Sequence, residues 1–274
     1  MKTFRVQILF VIFLLANLSC AKNILSELSS HSSDDALLQD AQVAINNLQY
    51  QAAIDIITLK VSASGKMRVS AKELLAHAYA GKCGLNFIDF VGALTTAGTV
   101  TAFKLVSVPF VQRTIDPTMC LASLITLDSI GPSAVRTLND NAFAAIVGMS
   151  LMGTAIRSTT DITPIDGDGT PDAANIACTL TDPQIDNVIL GVGYMSQNFS
   201  ALGSAQIGPG STATLTDVMN KCSAVVPGGC GITNPAAISN PLRLTMRDLL
   251  NTLEYGIGTY SVSGDDTKIP LACP

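Results

Sequence analysis

The chain has 274 residues, of which 48% are apolar, 14% charged and 5% aromatic, with no Trp and a formal net charge of −5. That length supports one large domain or two small ones with a sizeable core. The mildly acidic balance argues against a nucleic-acid partner and against electrostatic binding to anionic lipid.

The N-terminus has three parts. Lys2 and Arg5 are basic, Ile8 to Ala16 is an apolar run of nine residues, and Asn17-Leu18-Ser19-Cys20 follows. Such a run spans about 14 Å as a helix, under half of a bilayer core, so it reads as the core of a signal peptide rather than a spanning helix. Leu18-Ser19-Cys20 resembles the lipobox of bacterial lipoproteins, although Asn17 stands where that family usually has Leu. The resemblance implies that residues 1–19 are a lipoprotein signal peptide and that Cys20 carries a covalent lipid as the first mature residue. Cleavage after Ala21, with Ser19 and Ala21 as the small pair, is the other reading. In that family Ala21, rather than Asp, after the cysteine implies the outer membrane, with the protein facing the periplasm or the cell surface. Residues 20–33 read as a flexible tether: Lys22 to Asp35 holds five serines, and such polar chain gains little from burial.

Helical periodicity then takes over. Leu37, Leu38, Ala41, Ala44, Ile45 and Leu48 mark a first helix, with Asp34 and Asp35 placed to cap it. A second runs from about Gln49 to Lys60, presenting Ala53, Ile56 and Ile57, and a loop containing Gly65 follows. A third shows Ala71, Leu74, Leu75, Ala78 and Tyr79, with Gly81 or Gly84 as its stop. On Leu37, Ala41, Ala44, Tyr50, Ala53, Ile57, Ala71, Leu74, Leu75 and Ala78, residues 34–95 resemble tetratricopeptide helix pairs. The resemblance covers roughly a quarter of the chain and implies hairpins that must pack on the helices that follow.

Residues 96–274 are expected to form a larger helical domain. Cys120 to Ile130 and Ser133 to Ser158 read as helices. Ile185, Val188, Ile189, Val192, Met195, Phe199 and Leu202 make a stripe opened by Asp182-Pro183, with Asp182 as cap. Leu242, Met246, Leu249, Leu250 and Leu253 make another, opened by Asn240-Pro241. Period-two alternation is scarce, so the expected class is all-α.

The sharpest local signal is the loop 161–172, with Asp161, Asp166, Asp168 and Asp172 around Gly167 and Gly169. Calcium takes six to eight hard oxygen ligands from a tight loop that a glycine lets turn. The stretch resembles the calcium loops of thrombospondin type 3 repeats and of dockerin or EF-hand modules, with Thr170 offering its carbonyl and Asp161 or Asp182 completing the shell. It departs from the EF-hand register at both ends, where Pro164 and Asn175 stand. The expected cofactor is a structural Ca2+; a solvated Asp/Gly turn is the plainer reading.

Once Cys20 is lipidated or removed, six cysteines remain: Cys83, Cys120, Cys178, Cys222, Cys230 and Cys273. In an oxidising compartment they suggest three disulfides. Six cysteines allow about fifteen pairings; proximity favours Cys222–Cys230, and Cys83–Cys120 with Cys178–Cys273 is the arrangement expected to follow. No pair has the C-x2-C spacing of a zinc site, and the only histidines are His31 and His77.

Signatures of zinc proteases, serine hydrolases, nucleotide-binding loops and dinucleotide folds are absent from the sequence. Gly191-Val-Gly193 sits inside a helical stripe, which suits close helix packing. Asn198-Phe199-Ser200 matches a glycosylation sequon. These readings converge on a non-enzymatic envelope lipoprotein, anchored to the membrane at Cys20, that binds protein partners in the envelope as an assembly or scaffolding subunit. The alternatives are an envelope enzyme with acidic residues near Asp161 to Asp186 as its site, and a binder of lipid or another small ligand. The calcium reading predicts that EDTA lowers the melting temperature of the mature protein and that Asp168→Ala copies the effect. An unchanged melt in both removes the metal.

Overall fold

The computed structural model describes residues 32–96, 100–110, 113–160, 176–202, 208–225 and 228–273. All regular elements among them are helical; the one β contact is an isolated bridge between Thr252 and Tyr260. Helix α1 (Asp34–Asn46) opens on Ser33, whose hydroxyl accepts the Ala36 N–H at 3.2 Å. Asp34 and Asp35, expected as caps, instead occupy its first turn, where carboxylates meet the positive end of the helix dipole. Helix α2 (Tyr50–Asp55) continues through a wider π turn, Ile56–Lys60. A short α3 (Ala63–Lys66) leads to α4 (Val69–Lys82).

These elements enclose a small core of Leu37, Leu38, Ala41 and Ala44 from α1, Ala53, Ile54 and Ile57 from α2, and Ala71 and Ala78 from α4. Asp34 fixes the corner: it accepts from the Ser62 N–H at 2.8 Å and the Ser62 hydroxyl at 2.6 Å. The neighbouring Asp35 pairs with Arg68 at 2.7 Å, so α1 and α4 start side by side and run parallel. Tyr50, at the start of α2, lies against Gly81, at the end of α4, so α2 runs antiparallel to α4.

Helix α4 has two buried faces. Ala71 and Ala78 enter the small core, whereas Ala76 and Ala80 enter the main one with Cys83. The helix beside that second face is not the next in sequence, α5 (Phe87–Thr96), but α7 (Pro117–Asp128). Cys83 is bonded to Cys120 across a Cα separation of 5.1 Å, the Ser123 hydroxyl donates to the Ala76 carbonyl at 2.8 Å, and the Lys72 ammonium donates to the Ser129 carbonyl at 2.6 Å. The contacts run from opposite ends, so α4 and α7 are antiparallel. Helix α5 carries Phe90 and Leu94 into the main core, where α6 (Ala102–Ser107) adds Phe103 and the following 3-10 turn, Val108–Phe110, sets Phe110 against Phe90.

The long helix α8 (Leu138–Thr160) returns along α7. It begins at Leu138 rather than near Ser133 because Thr137 and Asp140 form a reciprocal cap. The Thr137 N–H donates to Asp140 Oδ2 at 3.0 Å, and the Asp140 N–H to the Thr137 hydroxyl oxygen at 3.1 Å. Leu138–Thr159 is the one described helix long and apolar enough to cross a membrane, and 78% of its apolar window is buried inside the protein. Helix α9 (Asp182–Asn198) starts one residue earlier than its Asp-Pro signal implies, with Thr181 as cap and its N–H donating to Gln184 Oε1 at 2.8 Å. Helix α10 (Pro209–Val225) and α11 (Asn240–Leu250) follow, the latter capped by Ser239 instead of Asn240.

Helices α8 and α9 pack antiparallel with their backbones in near contact. A Cβ on Gly148 would lie 2.9 Å from the Gly191 carbonyl oxygen, and one on Gly191 would lie 2.6 Å from that of Gly148. Gly193 meets the Ile232 backbone in the same way, so Gly191-Val-Gly193 serves helix packing. On the far side of α9, Asp186 takes a bidentate pair from Arg243 (2.6 and 2.8 Å) and Asp182 accepts from Arg247 (2.7 Å), aligning α11 antiparallel to α9. Cys178–Cys273 and Cys222–Cys230 complete the expected pairing, with Cα separations of 5.4 and 5.9 Å.

The packing predicts opposite outcomes at two helical glycines. Gly191→Ala gains about 1 kcal/mol of helix propensity but forces its methyl into the α8 backbone, for a net loss of about 1–3 kcal/mol. Gly92→Ala on α5, where an added Cβ has no neighbour within 4 Å, gains about 0.5–1 kcal/mol. Thermal melts should therefore move down for the first and up for the second.

Candidate functional site

A cavity of about 330 Å³ lies where α10, the start of α6 and the turn after α11 meet. Helix α10 contributes Gly210, Thr214, Asp217 and Val218, spaced to share one helical face. Val100, Thr101 and Ala102 form a second wall, and Glu254 with Tyr255 a third.

The third wall is held by its own polar chemistry. The Leu253 N–H donates to the Tyr260 carbonyl at 2.8 Å, closing a loop. Glu254 clasps the chain beyond it, accepting from the Ser261 hydroxyl (2.7 Å) and from the Val262 and Ser263 N–H groups (3.1 and 3.0 Å). The Thr101 hydroxyl donates to the Gly256 carbonyl, joining this wall to the second. Behind Tyr255, its hydroxyl donates to Asp266 at 2.9 Å; the Lys221 ammonium also donates to Asp266 and lies 5.5 Å from the Tyr255 ring centroid.

These contacts fix the charges. Burial pushes the Glu254 carboxyl up, but its hydrogen bonds from Ser261, Val262 and Ser263 outweigh that and hold it below the ordinary glutamate value. Hydrogen bonds from Lys221 and then Tyr255 hold Asp266 below the usual aspartate value. Burial, helped by Asp266, raises the Tyr255 phenol. At neutral pH the wall therefore presents carboxylates and a neutral phenol. Glu254, Asp266 and Tyr255 are all displaced away from the range in which a general acid or base works best, so the arrangement favours binding over proton transfer.

A second concavity, a shallow groove, is lined by Leu48, Tyr50, Gln51, Gly81, Lys82 and Thr114 at one end of the first two hairpins. Leu48 holds a left-handed backbone (φ 60°) with its side chain 69% exposed, which puts an apolar group at the groove rim.

The sites expected from sequence are not among the residues lining either concavity. Cys20 and the loop residues Asp161, Asp166, Asp168, Thr170 and Asp172 lie outside the described residues. Asp182, considered as a further calcium ligand, is held by Arg247 and Arg243, and the Arg247 hydrogen bond lowers its carboxyl below the usual value. Among the described residues no group of three His, Cys, Asp or Glu side chains is placed to hold a metal. The His77 ring meets Phe143 edge-on at 4.3 Å; desolvation pushes its imidazole down, against the pull of Asp140. Asn198 of the sequon is 1% exposed, donates to the Tyr194 carbonyl and accepts from Arg136, so it presents no free amide to a glycan.

None of Asp217, Glu254, Tyr255 or Asp266 was legible as a site beforehand. The only local hint is the i, i+4 spacing of Asp217 and Lys221. Comparison with known proteins finds no matching family model, no matching curated protein and no matching solved structure.

Close to this region, Asp248 is 7% exposed, and its Oδ1 accepts the Cys273 N–H at 2.8 Å. Desolvation raises its carboxyl above the ordinary value, with the Cys273 bond opposing. A folded-state pKa above the unfolded one stabilises the fold at low pH, and that contribution is lost as pH rises through the folded value. Asp248→Asn keeps an acceptor for Cys273 and removes the charge. Its stability relative to wild type should therefore improve as pH rises from about 4 towards neutrality. A difference that does not change with pH over that interval contradicts this assignment.

Proposed function

We propose that this chain is a non-enzymatic bacterial envelope lipoprotein, exported by residues 1–19 and anchored through a lipid on Cys20. Its helical body binds envelope proteins as an assembly or scaffolding subunit. One observation carries the scaffold reading: helices α1/α2, α4/α7 and α8/α9 form successive antiparallel pairs, with α1 and α4 side by side and α4 touching α8 at one ring contact. Asp35 meets Arg68 between α1 and α4, and the His77 ring meets Phe143 between α4 and α8. Helices α1 and α4 begin at Asp34 and Val69, close to the 34-residue period of tetratricopeptide repeats. This supports reading them as tetratricopeptide-like pairs, with residues 84–116 inserted inside the second.

Serial hairpins offer extended surfaces for protein partners. Large apolar side chains stand exposed on several of them, including Val43 on α1, Ile125 on α7 and Leu138 on α8. The acidic loop 161–172 joins α8 to the segment before α9, and the proposed structural Ca2+ would pin that connection. The outer membrane, facing the periplasm or the cell surface, is the proposed location on the strength of Ala21.

The reading is tested by cross-linking the tagged full chain in its native envelope and identifying what is captured at stoichiometric yield. A defined protein partner, lost when Cys20→Ser releases the chain from the membrane fraction, is the expected result. A cleanly folded protein that captures no protein, or that stays membrane-bound without Cys20, overturns it.

A further inference from the structure

The cavity between α10, the start of α6 and Glu254–Tyr255 has a size, a lining and a charge that select one class of ligand. Its volume of about 330 Å³ is at the small end of ligand sites, which run from about 300 to 1,000 Å³. The lining divides by chemistry. Val100, Ala102 and Val218 are apolar, and Tyr255 adds an aromatic ring. Asp217 and Glu254 bring carboxylates from separate elements, and among the described residues no Lys or Arg lines the cavity.

The Lys221 ammonium, on the far side of Tyr255, is committed to Asp266. Among the described lining residues the charged side chains are therefore Asp217 and Glu254, and the lining is net negative. Glu254 stays charged because its oxygens accept hydrogen bonds from Ser261, Val262 and Ser263. Those bonds come from neutral groups, so they orient the carboxylate without cancelling its charge. An anionic ligand would meet repulsion from two walls. A neutral apolar ligand would leave Asp217 and Glu254 facing it without compensation. A cation with a short apolar body satisfies both halves of the lining: the charge lies between the carboxylates and the body lies against Val100, Ala102, Val218 and the Tyr255 ring.

We infer that this cavity is a binding site for a small organic cation, an alkyl- or arylalkyl-ammonium compound, with Asp217 as the principal charge partner. The site is separate from the protein-binding surface proposed above and does not depend on it.

The test uses the mature full-length protein and isothermal titration with benzylamine, with benzyl alcohol as its nearly isosteric neutral counterpart. Benzylamine should bind and benzyl alcohol should not, and the affinity should fall as salt is raised. Asp217→Asn, at an exposed position, should weaken benzylamine at least tenfold while leaving the melting temperature of the unliganded protein unchanged. Thr214→Met, which fills the cavity without altering charge, should weaken it as well. Absence of benzylamine binding to the wild type, equal binding of the alcohol, or full binding by Asp217→Asn each overturns the inference.

Discussion

The fold depends on the near-contact of two helix backbones, α8 and α9, at Gly148 and Gly191. Each glycine sits where a Cβ would lie within 3 Å of a carbonyl oxygen on the other helix. Without side chains at the crossing, the two helices approach until their flanking residues interlock, and Met149, Met152, Ile185, Val188, Val192 and Met195 are buried in the surrounding core. A helix that carries Ser150 and Thr154 into such a core must satisfy their hydroxyls. Both donate to carbonyls one turn earlier, Ile146 at 2.8 Å and Ser150 at 2.7 Å, so the core carries no cost from these groups. Gly153 extends the same device to α6, where the Val106 backbone lies against it. The other helices are arranged around this pair.

Polar clamps then set the order of the outer layers. Arg136, buried to 8% exposure, donates to Asn141, Asp128 and Asn198 at 3.1–3.2 Å, and the Tyr194 hydroxyl donates to the same Asp128. This cluster binds the ends of α7, α8 and α9 together. Replacing Asp128 would leave the buried Arg136 guanidinium without its counter-charge, at a cost that the 44% exposure of Asp128 keeps below that of a fully buried pair, so the cluster specifies which helix ends meet. At the other boundary, Arg243 and Arg247 tie α11 to α9, and Cys178–Cys273 ties the C-terminal segment back to the residues before α9. Cys83–Cys120 and Cys222–Cys230 are buried in the main core, whereas Cys178–Cys273 fastens the C-terminal end. The cavity wall bearing Glu254 and Tyr255 belongs to that clamped C-terminal segment. Its geometry is thus a consequence of the α9–α11 alignment, although no residue of α9 lines the cavity.

The contrast between the two concave features follows from how each is made. The groove at Leu48 and Tyr50 lies at the end of hairpins whose cores are small and alanine-rich, and it is open. The cavity at Asp217 is walled by elements from three parts of the chain and lies against the main core through Ala102 and Val218. Protein partners suit the open, serial surface, and a small ligand suits the walled one.

For the cysteines the sequence suggested a pairing by proximity and the tertiary structure decided it; by itself the sequence determined the helical class and the positions of most helices. These are local matters: the apolar spacing of Leu37 to Ala44 or of Ile185 to Met195 is a property of one helix, and Asp-Pro or Ser-Asn-Pro steps mark where a helix can begin. The first residue of each helix shifted by a place or more, because Ser33, Thr137, Thr181 and Ser239 are equally good caps and only the hydrogen bonds formed decide among them. Gly191-Val-Gly193 was readable as a packing surface, since glycines within an apolar helical stripe imply close approach. What only the tertiary structure decided is which helices are neighbours. Alanines on both faces of α4 do not say that one side meets α1 and the other α7, nor that residues 84–116 leave the hairpin between them. The cavity was invisible for the same reason: Asp217 and Glu254 are 37 positions apart in the chain, and their convergence is set by long-range packing that no local spacing encodes.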